Sequence, residues 1–204
     1  MTKAWSVPDI EPGGNLTANA RRILAVRVAE FYSWTPAAVR EDAGEALHEL
    51  RIAAKRLRYT LELFRGAFGA AGAVQIERVK AVQEELGEFH DHDVRIALIE
   101  DELASLAGEQ ASDMAHALRF ADAIERQAVA ASALRPPPDD PRRGLVALLA
   151  REHDGRAERY RRFRALWDDF TTDGMRADLV ALSARPIEGQ PDSRGEPAAG
   201  RDES

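Results

Sequence analysis

Apolar residues return every three or four positions along almost the whole of this chain, and no stretch alternates β-branched with polar residues at a period of two. That property restricts the fold to helices, because only a helix places positions three and four apart on a common face. From Leu47 the steps run through Leu50, Ala54, Leu57, Leu61, Phe64 and Phe68; from Ile76 they run through Val79, Val82, Leu86 and Phe89. The chain has 204 residues, 45% of them hydrophobic, enough for such faces to bury one another in a single domain. The expected class is all-α, a bundle of long antiparallel helices.

Turn residues divide the chain. Residues 1–14, with Pro8, Pro12, Gly13 and Gly14, form an irregular leader, and Asn15 or Thr17 is placed to cap a first helix over 16–34. Leu16, Ala20, Ile23, Leu24, Val28 and Phe31 supply its apolar face, and Thr35-Pro36 ends it. A second helix, 43–68, stops in a turn made by Gly66, Gly69 and Gly72. A third begins near 73, with Gly87 as an expected kink, and a further run covers 111–134 before Pro136, Pro137 and Pro138 impose a loop. A last long helix spans 142–171, followed by a short helical piece, MRADLVALSA. The helical domain therefore covers 15–183, and the polar, Gly/Pro-rich residues 184–204 read as a disordered tail.

Composition removes several functions. Without cysteine there are no disulfides, thiolate metal sites or Cys nucleophiles. No run approaches the roughly 20 apolar residues of a membrane span, and the start MTKAWSVPDIEPGG lacks the apolar centre of a secretory signal, so a cytoplasmic protein with no membrane partner is expected. The formal net charge is −7 but uneven: residues 142–164 hold eight Arg against three acids, and 77–125 hold thirteen acids against four bases. Charges more than about 10 Å apart in solvent are largely screened, so a slim polyanion could still bind locally. A long duplex would meet the acidic surface, which argues against sequence-specific nucleic-acid binding.

The densest basic stretch is LHELRIAAKRLRY at 47–59. On a helical wheel His48, Arg51, Lys55, Arg58 and Glu62 fall between the main seam and a narrower apolar stripe of Ile52, Tyr59 and Leu63. A helix packed on both sides of a basic stripe would leave those cations on the floor of a groove. Cations one turn apart repel unless something neutralises them, and acids on neighbouring helices or a bound anion would both serve. Arg56, with Glu49 and Thr60, falls on the opposite arc and is expected to be solvated. One position after the third helix's seam come Lys80, Gln83, Gly87 and His90, the offset that the basic stripe has from its own seam. The last helix carries an inward line of Leu149, His153, Arg156, Tyr160, Phe163 and Trp167, so Arg156, with Arg159 close by, reaches the same crevice or pairs with a bundle carboxylate.

HELRIAAKRLRYTLELF at 48–64 resembles the His-x-x-Arg-(x)3-Lys/Arg-x-x-Arg-Tyr helix of the CHAD family, the conserved histidine α-helical domain, and VKAVQEELGEFHDHDV at 79–94 is similar to its Lys-x-x-Gln-(x)3-Gly segment followed by an Asp. The resemblance implies a helical bundle, commonly one of two related by a pseudo-twofold, that binds inorganic polyphosphate in a basic channel without catalysis. By motif position it implicates His48, Arg51, Lys55, Arg58, Lys80 and Gln83; His90 stands where the family often has Asn. Only one clear copy of the His-led motif is present, so a complete channel would take a homodimer. The resemblance also places the protein with polyphosphate granules.

Two rival functions have residues behind them. HDHD at 90–93 brings His90, Asp91 and Asp93 close in sequence, as metal-dependent phosphohydrolases do, although residues two apart on a helix diverge and His116 and His153 are isolated. A helical scaffold whose basic groove takes an acidic protein partner is the other. No Gly-rich phosphate loop, Ser-His-Asp order or nucleotide fingerprint appears, so no cofactor and no catalytic residue is assigned.

Overall fold

The computed structural model describes residues 3–133 and 140–184. Every regular element among them is an α-helix: α1 (Leu16–Tyr32), α2 (Thr35–Ala38), α3 (Gly44–Leu63), α4 (Arg65–Phe120), α5 (Ala123–Ala133), α6 (Pro141–Thr172) and α7 (Met175–Ala184). The loop expected at Pro136–Pro138 and the tail beyond Ala184 lie outside the described residues.

Local chemistry explains the boundaries. The Asn15 side chain accepts a hydrogen bond from the Ala18 amide at 3.1 Å and so starts α1. Of the three glycines expected to form the turn after α3, only Gly69 leaves the helical region, with φ +57, and it is the single break inside α4. The turn thus begins at Phe64, earlier than expected. Gly87 makes no kink, and the run expected to start afresh at 111 is the continuation of α4. That helix ends at Ala121, where Asp122 and Glu125 form a capping box: the Asp122 carboxylate accepts from the Ile124 and Glu125 amides at 2.8 and 2.9 Å, and Glu125 accepts from the Asp122 amide at 2.8 Å.

α4 is the spine, packed on α3 along one flank and on α6 along another, while α1 lies on α3 and α7. Leu24, Phe31, Leu50, Leu57, Leu61, Val79, Leu86, Phe89, Phe163 and Leu179 meet in one core cluster. Beyond Ile99 nothing described in α4 or α5 is buried, so the core sits in the near half of the spine. In α6 the buried positions are Glu152, Tyr160, Phe163 and Trp167; His153, expected to point inward, is exposed because the line that faces α4 runs through its neighbour Glu152.

Two expectations for α3 fail together. Its second apolar stripe is a solvent ridge, with Tyr59 49% and Leu63 77% exposed, because α3 is covered by α4 and α1 and its third side is open. Buried Glu49, Ala53 and Thr60 widen the main seam instead. Arg56, expected to be solvated, lies at that inner edge and bonds Glu30 at 2.7 Å. The Glu30 carboxylate is 2% exposed and is also held by Arg27 and by the Trp5 amide, at 3.3 Å for the latter, so it ties the leader, α1 and α3 together. Truncating one partner of a buried carboxylate leaves it under-neutralised. With Arg27 still present, Arg56→Ala is expected to cost about 1–3 kcal/mol of stability by urea unfolding, whereas Arg40→Ala, removing a pair open to solvent on both sides, should leave the midpoint in place.

Candidate functional site

The antiparallel seam between α3 and α4 sets the site. The His48 and His90 rings lie 4.4 Å apart, centroid to centroid. One turn along, Arg51 crosses α4 at Gly87, where a Cβ would come within 3.7 Å of Arg51 Nε. Continuing in opposite directions by the same steps brings Lys55 level with Gln83 and Arg58 level with Lys80. The two stripes read from sequence therefore form a ladder of facing rungs.

The ladder's polar atoms are poorly satisfied. His48 Nδ1, Arg51 Nε, Arg58 Nε and Gln83 Oε1 are buried with no hydrogen-bond partner, four of the seven such side-chain atoms found among the described residues. Each unsatisfied buried group costs about 1–3 kcal/mol, so their concentration on one seam asks for an explanation. A ligand with several anionic oxygens would satisfy the nitrogens directly, and rotating the Gln83 amide offers its NH2 group in place of its carbonyl.

Charge tells the same story. Among the described residues neither Arg51 nor Lys55 has a carboxylate within 4 Å; Arg58 has only Glu62, at 3.5 Å, and Lys80 reaches Glu77 and Glu84 loosely at 4.0 and 3.9 Å. Lys55 and Arg58 flank the Tyr59 ring at 5.8 and 5.0 Å, which holds two like charges on the open ridge by cation–π attraction. At His90 the field is legible in its titration: burial, then the neighbouring His48 and Arg51, hold its pKa below the ordinary 6.5, outweighing Asp93 and Asp91.

The α6 residues belong to a different structure. Arg156 Nε donates to Asp93 at 2.6 Å, its other nitrogens reach Glu41 Oε1 and the Glu41 carbonyl at 3.4 and 3.2 Å, and its guanidinium lies 4.2 Å from the centre of the Phe89 ring. Arg159 meets Glu85 at 3.5 Å and Glu88 at 3.4 Å. Both cations expected in the crevice are thus spent clamping α6 to α4, and their donors are not aimed at the ladder. The HDHD segment is divided in the same way. His90 faces α3, Asp93 holds Arg156, and His92 Nδ1 bonds Glu152 at 2.7 Å, beside Arg95, which donates to the same oxygen at 2.7 Å. Among the described residues no group of three or more His, Asp or Glu side chains is placed to hold a metal ion. Gly155 completes this contact, since a Cβ there would fall 2.4 Å from His92 Cε1; the sequence offered only an unremarked glycine inside a helix as a signal.

Residues 3–100 match the model of the CHAD domain. This part of the chain, just under half of its 204 residues, is a CHAD domain. The match includes both stripes of the ladder and ends before α5, α6 and α7. CHAD domains are binding modules associated with polyphosphate. No curated protein and no solved structure shows a significant match to the chain.

Because His90 is held below the ordinary value, the unfolded chain binds more protons than the folded one as pH falls through 6.5. Stability is therefore expected to drop on acidification from pH 6.5 and to level off once the folded state is protonated too. Thermal unfolding at fixed ionic strength between about pH 7.5 and about pH 5 should show a shallower acid decline in His90→Gln than in the wild type.

Proposed function

We propose that this CHAD protein binds inorganic polyphosphate, without catalysis, along the α3–α4 ladder of His48, Arg51, Lys55, Arg58, Lys80, Gln83 and His90. The observation that carries the proposal is the coincidence of orphaned buried donors with unneutralised cations on one seam. Polyphosphate bears about one negative charge per phosphate and no bases to read, so a row of donors one helical turn apart can engage successive phosphates. Arg51 and Arg58 offer forked guanidinium donors, Lys55 and Lys80 offer point charges, and Gln83 and His48 offer neutral hydrogen bonds. The open side of α3, where Tyr59 and Leu63 stand in solvent, leaves the ligand an entry from one side; a second copy of the chain would supply the opposite wall of a closed channel. Arg156 and Arg159 are not included, because recruiting them would cost the carboxylate contacts that hold α6.

Calorimetric titration with polyphosphate tests the assignment. The double variant Arg51→Ala with Lys55→Ala should bind at least about tenfold more weakly, while Arg161→Ala, a cation on α6 with 71% of its side chain exposed, should bind like the wild type. Affinity should fall log-linearly with salt, as counterion release requires. Equal losses in both variants would leave only diffuse attraction, and preferential binding of an acidic peptide would point to a protein partner instead.

A further inference from the structure

A second concave site lies away from the ladder, where the end of α1, the start of α2 and the end of α6 meet α7. Gly174, at φ +75, turns the chain sharply out of α6 and sets α7 at an angle that leaves a cleft of about 480 Å³, within the range of small-molecule sites. Tyr32 and Trp167, whose ring centroids are 6.1 Å apart, form its aromatic wall; Thr35, Thr171, Arg176 and Val180 line the rest.

The polar groups there are incompletely used, and in a defined sense. The Arg176 guanidinium lies 5.2 Å from the centre of the Tyr32 ring and has no carboxylate within 4 Å among the described residues. Its nearest candidate, Asp178, is engaged by Arg78 at 3.1 Å and by the Gln75 amide at 3.2 Å. Around Tyr32 two guanidiniums therefore stand against one carboxylate. The Tyr32 hydroxyl makes no hydrogen bond among the described residues, and burial pushes its pKa up to about 12, so it remains an O–H donor at neutral pH. Thr35 and Thr171 donate their hydroxyl protons to the Tyr32 and Trp167 carbonyls, each at 2.7 Å, which leaves only acceptor lone pairs facing outward.

We infer that this cleft binds a small planar aromatic carboxylate bearing a ring N–H or O–H. The ring lies against Tyr32 and Trp167, the carboxylate meets Arg176 and the Tyr32 hydroxyl, and the ring donor meets a threonine oxygen. A neutral or cationic aromatic would leave Arg176 without a partner. The site shares no residue with the ladder, so it stands or falls independently of polyphosphate binding.

The test uses the full chain and two probes of matched shape, indole-3-carboxylate and indole-3-carboxamide, titrated by calorimetry. The carboxylate is expected to bind one to one and saturably, at least about tenfold more tightly than the carboxamide. Arg176→Gln should erase that preference, and Val180→Trp, at a position 48% exposed on the cleft rim, should block both probes. Far-ultraviolet circular dichroism and thermal melts of the two variants establish that they are folded. No saturable binding of the carboxylate, equal affinity for the two probes, or unchanged affinity in Val180→Trp would each overturn the assignment.

Discussion

The register of α3 against α4 is the constraint on which the rest depends. His48 opposite His90 and Arg51 opposite Gly87 fix the two helices antiparallel at one offset, and every other rung follows from helical geometry. The offset is held from both sides: Leu47, Leu50, Ala54, Leu57 and Leu61 pack into Val79, Val82, Leu86 and Phe89 in the shared core. At the rung where a long guanidinium must cross the neighbouring helix, that helix carries a glycine.

Once that seam is set, the acidic net charge and the basic site are compatible. The acids of α4 have defined uses on its other flank: Glu85, Glu88 and Asp93 receive Arg159 and Arg156. Glu152 answers from α6 to His92 and Arg95, and Glu30 absorbs Arg27 and Arg56 on α1. On the α3–α4 seam, Arg51 and Lys55 have no carboxylate within 4 Å among the described residues, and Arg58 has only Glu62, at 3.5 Å. Internal neutralisation thus separates the arginines that hold α6 to α4 and α1 to α3 from the seam cations available to an external anion. Distance and screening keep the acids of the far half of α4 from cancelling the second group.

Periodicity made the helices legible, and the Asn15 cap and the Met175 start of α7 were readable as local signals. What was missed needed knowledge of neighbours. Gly87 looked like a kink because an isolated glycine weakens a helix; it stays helical instead and lies beside Arg51. The break after Phe120 was written as Asp122-x-x-Glu125, a capping box passed over because the apolar period changes little there. The ladder residues lay on the stripe that the wheel assigned to them, but the reason given, a second packed seam through Tyr59 and Leu63, was wrong, since only two of the three sides of α3 are covered. Arg56 was misjudged for the same cause: its partner, Glu30, is 26 residues away on α1, and no wheel of α3 contains it. Arg156 and Arg159 were read as reaching the crevice or meeting a bundle carboxylate, and sequence could not say which, because their partners Asp93, Glu85 and Glu88 lie on another helix.

Whether the ladder's orphaned nitrogens are what an anion satisfies can be observed directly. Side-chain Nε–H resonances of the arginines, recorded by nuclear magnetic resonance during a polyphosphate titration, separate the two groups of cations. The signals of Arg51 and Arg58 should shift and become protected from solvent exchange as ligand is added, while that of Arg156, whose Nε already donates to Asp93 at 2.6 Å, should stay in place. A shift at Arg156 with Arg51 and Arg58 unmoved would contradict a site on the α3–α4 seam.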